Sequence, residues 1–223
     1  MANPNQYTLA RDTQSVLATN KVLKNTYMLL AATLGFSAFT AMLSMALAMP
    51  PWVYMVSVVV AMIMGIFVLP RTAQSASGVG VIFVITGLLG FGLGSILTMY
   101  MALPNGPGII ATAFGGTALI FLGLSGYALT SKRDFSFLGG FLFAGMMVAV
   151  VAIIANLFFA MPALSLAISS VIILLMSGFI LFDTSRIKSG AETNYILATY
   201  GIYLSIFNIF ISLLQILGIM GDD

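Results

Sequence analysis

The sequence predicts an all-α integral membrane protein, a bundle of seven membrane-spanning helices. Three observations predict it. Of the 223 residues, 61% are hydrophobic and only 6% charged, whereas a domain covered by water carries about 25% charged residues. The apolar residues gather into seven runs, each near the ~20 residues that a helix needs to cross a bilayer. All eight lysines and arginines fall in the N-terminal tail or in alternate connectors, the asymmetry expected of a multi-pass chain.

Residues 1–27 form a polar tail in which Arg11, Lys21 and Lys24 face the single acid Asp12. Its low hydrophobicity predicts disorder at the start and helix near Val16–Leu23. It is too long and polar for the leading region of a cleaved signal, so the first apolar run reads as a retained anchor. The spans are expected at 28–48, 51–69, 79–101, 108–130, 136–159, 163–182 and 195–219, so the bundle occupies 28–219. Pro50-Pro51, Pro70, Pro104 to Pro107, Asp134 and Pro162 supply helix breakers and caps between them. Arg71, Lys132, Arg133, Arg186 and Lys188 lie in the connectors on the tail's side, while 49–50, 102–107 and 160–162 carry no charge. The positive-inside rule then places the N-terminus in the cytoplasm. Seven crossings place the short C-terminus, 220–223, on the outside.

Cysteine and histidine are absent, which removes thiol chemistry, the usual zinc sites and histidine acid–base catalysis. Gly123-Leu-Ser125-Gly126 has the pattern of an intramembrane serine protease, but the serine has no histidine base and every lysine lies outside the spans. An aspartyl protease needs two embedded carboxylates, and only Asp183 lies near the membrane. The chain reads as a non-enzyme with no catalytic residue, no bound cofactor or metal, and no nucleic-acid partner. The glycines of the third, fourth and fifth runs, Gly90 and Gly94 among them as a GxxxG pair, are expected to let helix backbones approach closely. The methionines read as core filler.

Two features stand out as candidate function. Asp183 lies where an apolar helix should be leaving the bilayer, at its negative C-terminal end. Dipole and dielectric both disfavour a carboxylate there, so a cation from the rim, Arg71 or Arg186, is expected to hold it. In the last run Asn194, Ala198, Gly201, Ser205, Asn208, Ser212 and Gln215 share one helical stripe. Lipid cannot satisfy these polar groups, so the stripe should face other helices or a wet cavity.

Three separated motifs, in order, resemble the Bax inhibitor family: GGTALIFLGLSGYALTSKRDFSFLGG (115–140), FDTSRI (182–187) and YLSIFNIFISLLQILG (203–218). The likeness runs from about Lys21 to the end. NTYMLL (25–30) and ETNYI (192–196) are similar to its bacterial YccA-type branch in particular. The resemblance implies a seven-helix fold and two different functions. One is modulation of the membrane AAA protease FtsH, of which such a protein is also a substrate, protecting other membrane proteins from degradation. The tail, with Gln6, Arg11, Asp12 and Lys21, would be the handle the protease seizes. The alternative is a pH-sensitive leak for calcium or protons, gated by paired aspartates. Asp183 matches the first of these; the second falls on Ser205, while Asn208 is retained. A calcium ion takes six to eight oxygens with compensating charge, so the serine weakens that reading. It also predicts a closed state less responsive to pH than one with both acids.

Overall fold

A computed structural model describes residues 4–220, with side chains from Leu17 onward. Among the described residues the chain forms only helices, seven of them long and apolar enough to cross a membrane. They are α1 (Pro4–Ala46), α2 (Trp52–Thr72), α3 (Ser77–Met101), α4 (Gly106–Thr130), α5 (Gly139–Phe159), α6 (Pro162–Lys188) and α7 (Tyr195–Met220). A short 3-10 turn, Ser136–Leu138, leads into α5. A helix satisfies its own backbone hydrogen bonds, which a bilayer interior without water requires.

Prolines do the punctuation, with one exception. Pro51 precedes α2, Pro107 sits in the first turn of α4 and Pro162 opens α6, positions where a missing N–H costs nothing. Asn156 ties the α5–α6 turn, its carbonyl accepting the Met161 amide at 3.2 Å and its amide donating to Ser165 Oγ at 2.7 Å. Pro70 was expected to end the second span, yet α2 continues past it to Thr72. The helix widens into a π segment, Met64–Val68, immediately before. That extra width removes the regular hydrogen bond into which the proline ring would collide.

The bundle also begins earlier than residue 28. The spanning part of α1 starts at Leu17, and Val22, Leu23 and Tyr27 pack on the main core while Thr26 is fully buried. Lys21 and Lys24 stay exposed, which lets them extend toward the polar rim. The side chains of Gln6, Arg11 and Asp12 lie outside the described residues, as do residues 221–223.

The core sits where α1, α3 and α7 meet, around Leu30, Ile82, Ile85, Ile202 and Tyr203. Helix α7 is the hub, touching α1, α3, α4 and α6, whereas α5 packs chiefly on α6 and α2 chiefly on α3. The GxxxG pair acts as expected. A Cβ at Gly90 would stand 2.3 Å from the Ser37 carbonyl oxygen, and one at Gly94 would stand 2.3 Å from that of Ala41. The four glycines in the middle of α4 do not. Gly115, Gly123 and Gly126 have open space where a Cβ would go, and Gly116 meets only a Leu213 methyl. They lie on faces of α4 to which no neighbouring backbone comes close.

Candidate functional site

The polar stripe of α7 faces inward along its whole length: Ala198, Ser205 and Ser212 are buried, and Asn194, Gly201, Asn208 and Gln215 half-buried. Asn194 caps the helix, its side-chain oxygen accepting the amides of Ile196 at 2.9 Å and Leu197 at 3.1 Å, while its amide donates to the Ala73 carbonyl at 2.9 Å. One residue thereby fixes both the start of α7 and its distance from the α2–α3 connector.

Most of the stripe lies along α6. At the basic end the Asp183 carboxylate lies against Gly201, so close that a Cβ there would come within 2.7 Å of Oδ2. Toward the uncharged end, Ser169 Oγ donates to Gln215 Oε1 at 2.7 Å. The same number of residues separates the two contacts on each helix, so α6 and α7 run antiparallel in constant register between them. Gly201 is what admits the carboxylate: a larger residue would fill the space that Asp183 occupies.

Asp183 is half-buried, and among the described residues it forms neither an ion pair nor a hydrogen bond. The expected cationic partners are both engaged elsewhere. Arg186 lies 3.6 Å from the Glu192 carboxylate and its guanidinium sits 5.4 Å over the Phe182 ring. Glu192 reaches it because Gly190, at φ +76°, turns the chain back, and the Glu192 amide donates to the Arg186 carbonyl at 3.0 Å. Arg71 donates to the Phe67 carbonyl at 2.7 Å, closing the end of α2 where the π segment has disturbed the backbone ladder. A closing latch between Asp183 and either arginine is therefore absent from this conformation.

Ser205 lies one turn along from Gly201 and donates to its carbonyl at 3.1 Å; Asn208 donates to the Leu204 carbonyl at 2.8 Å. Both bond back to their own helix. Asp183, Ser205 and Asn208 thus share a seam but not a ligand cage, and among the described residues no three acids, histidines or cysteines gather in one place. One carboxylate with a committed hydroxyl and an amide oxygen falls well short of what calcium takes.

The elements around Asp183 are pinned by contacts that sequence reasoning passed over. Ser185 Oγ donates to Asp134 Oδ1 at 3.0 Å and accepts the Phe135 amide at 2.9 Å. Lys188 donates to the Ala128 and Ser131 carbonyls at the end of α4. The α4–α5 loop is thereby clamped to the last turns of α6. On the other side of α7, Ser37 Oγ donates to the Thr86 carbonyl at 2.6 Å and lies 2.6 Å from the fully buried Tyr203 hydroxyl, joining α1, α3 and α7. Thr199 Oγ1 lies 3.2 Å from the Thr26 carbonyl, and Tyr27 bonds Ser125. The signal was present: Thr26 and Tyr27 lie in NTYMLL, Ser125 in the failed protease pattern, Ser185 in FDTSRI and Tyr203 in YLSIFN. These motifs are places where helices are joined.

The clamp gives a prediction. The adjacent Ser136, whose amide donates to Oδ1 at 2.9 Å, and the Ser185 hydroxyl hold the Asp134 carboxyl below its ordinary value. A depressed acid stabilises the fold above its unfolded pKa, and that contribution is lost as pH falls through the folded one. The clamp should therefore hold unchanged across neutral pH and loosen only below the usual carboxylate range near ~4. Ser185→Ala, which strands a buried amide, should cost about 1–2 kcal/mol locally. Hydrogen exchange at the Phe135 amide reads it, and an unchanged rate would remove the clamp from the account.

A family model described as inhibitor of apoptosis-promoting Bax1 matches residues 19–222. The chain belongs to that family. Within the Bax1-inhibitor family it is 48% identical to the Escherichia coli K12 protein named modulator of FtsH protease YccA, over 96% of this chain and 97% of that one. It is 51% identical to a membrane protein of Vibrio cholerae, over 99% of each chain. A Pseudomonas aeruginosa protein is 48% identical over 91% of this chain and 90% of its own. The family match begins two residues before Lys21, close to where the spanning part of α1 begins.

Proposed function

We propose that this protein modulates an FtsH-type membrane protease and slows its action on other membrane proteins, without being an enzyme itself. The observation that carries the reading is the 48% identity, over nearly the whole of both chains, to a relative named for that activity. The architecture is compatible with it. The connectors at the uncharged end are too short to build a binding domain, which leaves the bundle, the basic-end loops and the N-terminal segment as contact surfaces. In this reading the basic end lies in the cytoplasm of the bacterial inner membrane, and Gln6, Arg11, Asp12 and Lys21 belong to the segment the protease grips. The test is the half-life, by pulse-chase, of an unassembled membrane protein that the protease degrades. Raising the level of this chain should lengthen that half-life, and an unchanged half-life would refute modulation. Removing residues 2–18 should prolong the life of the chain itself, because a degradation handle has been lost; breakdown at the wild-type rate would acquit the tail.

A second reading, a leak for protons or calcium along the α6–α7 seam, is favoured by one observation: Asp183 is a half-buried carboxylate without a cation at ion-pair distance among the described residues. Such a group inside a bundle is a functional candidate by default. Purified protein in liposomes separates the two readings, since a leak passes ions with no protease present. If it does, Asp183→Asn should abolish the pH response.

A further inference from the structure

We propose that the cleft between α1 and α4 is a binding site for a hydrocarbon chain of a phospholipid, taken from the leaflet at the uncharged end of the bundle. The two helices are joined at the basic end, where Tyr27 bonds Ser125 and its ring lies 6.2 Å from that of Phe121. Beyond that point they part and leave a cavity of about 560 Å³, with α7 as its floor. Leu34, Ala38 and Met42 form one wall and Phe114, Ala118 and Leu122 the other. Met42, Phe114 and Leu122 are each more than 60% exposed, so the cavity opens sideways, where hydrocarbon is the solvent.

Chemistry and dimensions choose the occupant. The lining carries no charged residue, and its polar groups are already spent. Ser37 and Tyr203 bond each other and the Thr86 carbonyl, and Thr117 donates to the Ala113 carbonyl at 2.7 Å. A polar or charged ligand would find nothing to answer it in the lining, and the connectors at this end of the bundle carry no charge with which a headgroup could pair. From Leu34 to Met45, the limits of the α1 wall, the helix rises about 17 Å at ~1.5 Å per residue. That is close to the ~15 Å depth of one leaflet's hydrocarbon. The 560 Å³ is the space open to the centres of water-sized spheres, so over that length the cleft is about 9 Å from wall to wall, against the ~10–12 Å that a helix with side chains requires. A transmembrane segment of a partner, or of a second copy, is too thick to enter; a polymethylene chain is not.

The full-length protein, purified in mild detergent and stripped by repeated exchange, tests this by intact-mass spectrometry before and after adding palmitoyl-oleoyl phosphatidylethanolamine. Wild type should retain or regain one phospholipid per chain. Ala118→Phe places a ring inside the cavity and removes the surface that holds the chain, so retention should fall about tenfold. Gly35→Leu, at a lining position with open space around its Cβ, should act likewise and serves if the first variant misfolds. Val151→Phe, on the exposed face of α5, should retain lipid as wild type does. The proposal is overturned if wild type strips clean and rebinds nothing, or if the filled variants retain lipid equally. It is equally overturned if wild type purifies as a dimer that Ala118→Phe separates, because a second copy then covers the cleft.

Discussion

Gly94→Ala is expected to lower the stability of the bundle by about 3 kcal/mol, the upper range for forcing a methyl into filled space. The added Cβ would stand 2.3 Å from the Ala41 carbonyl oxygen and 2.7 Å from Ser44 Cβ. The first of these is backbone, which cannot rotate aside, so α1 and α3 would have to separate along the seam that carries the main core. For a chain of this length the loss corresponds to a fall of roughly 6–12 °C in Tm. Gly90→Ala meets the Ser37 carbonyl in the same way and should behave alike. Gly123→Ala is the matched control: its Cβ enters open space, and the gain in helix propensity makes it neutral or stabilising by up to about 1 kcal/mol. Thermal unfolding in detergent checks all three. Equal effects at Gly94 and Gly123 would mean that α1 and α3 are not in backbone contact.

Gly201→Ala should cost about 1–3 kcal/mol, for a different reason. The atom in the way is Oδ2 of Asp183, 2.7 Å from the added methyl, at the end of a short side chain that has little freedom to withdraw. Shortening that side chain should therefore rescue the fold. Asp183→Ala in the Gly201→Ala background should recover much of the loss, a coupling of about 1 kcal/mol or more between residues that share one space. Asp183→Asn, which preserves the shape, should not rescue. Additive losses across the cycle would show that the carboxylate does not occupy the space over Gly201.

The number and order of the helices were legible because about 20 consecutive apolar residues have one main use, and the starts of α3 to α7 fall within three residues of expectation. The inward turn of the α7 stripe was legible for a related reason: asparagine and glutamine have nowhere else to go in a bilayer. What was not legible depended on partners far along the chain. Asp183 and Arg186, three apart on one helix, read as a pair, but Glu192 is delivered to Arg186 by a left-handed turn at Gly190. Pro70 read as a stop because the proline rule is local, whereas the π segment that accommodates it lies before it. Lys21 and Lys24 read as tail, yet their neighbours Val22, Leu23 and Thr26 face the core, since a helix can bury one side while its lysines stay exposed. The glycines of α4 look like those of α3 in sequence, and only the position of α1 distinguishes them.

The central claim is that this protein acts on a protease, and reconstitution tests it most directly. An FtsH-type protease and a membrane substrate are placed in liposomes, with or without this chain, and ATP-dependent loss of the substrate is followed over time. The account predicts slower loss in a dose-dependent manner when the chain is present. It also predicts no ion flux attributable to the chain under the same conditions. Identical degradation rates, with ions passing through liposomes that contain this chain alone, would contradict it and move the function to the seam beside Asp183.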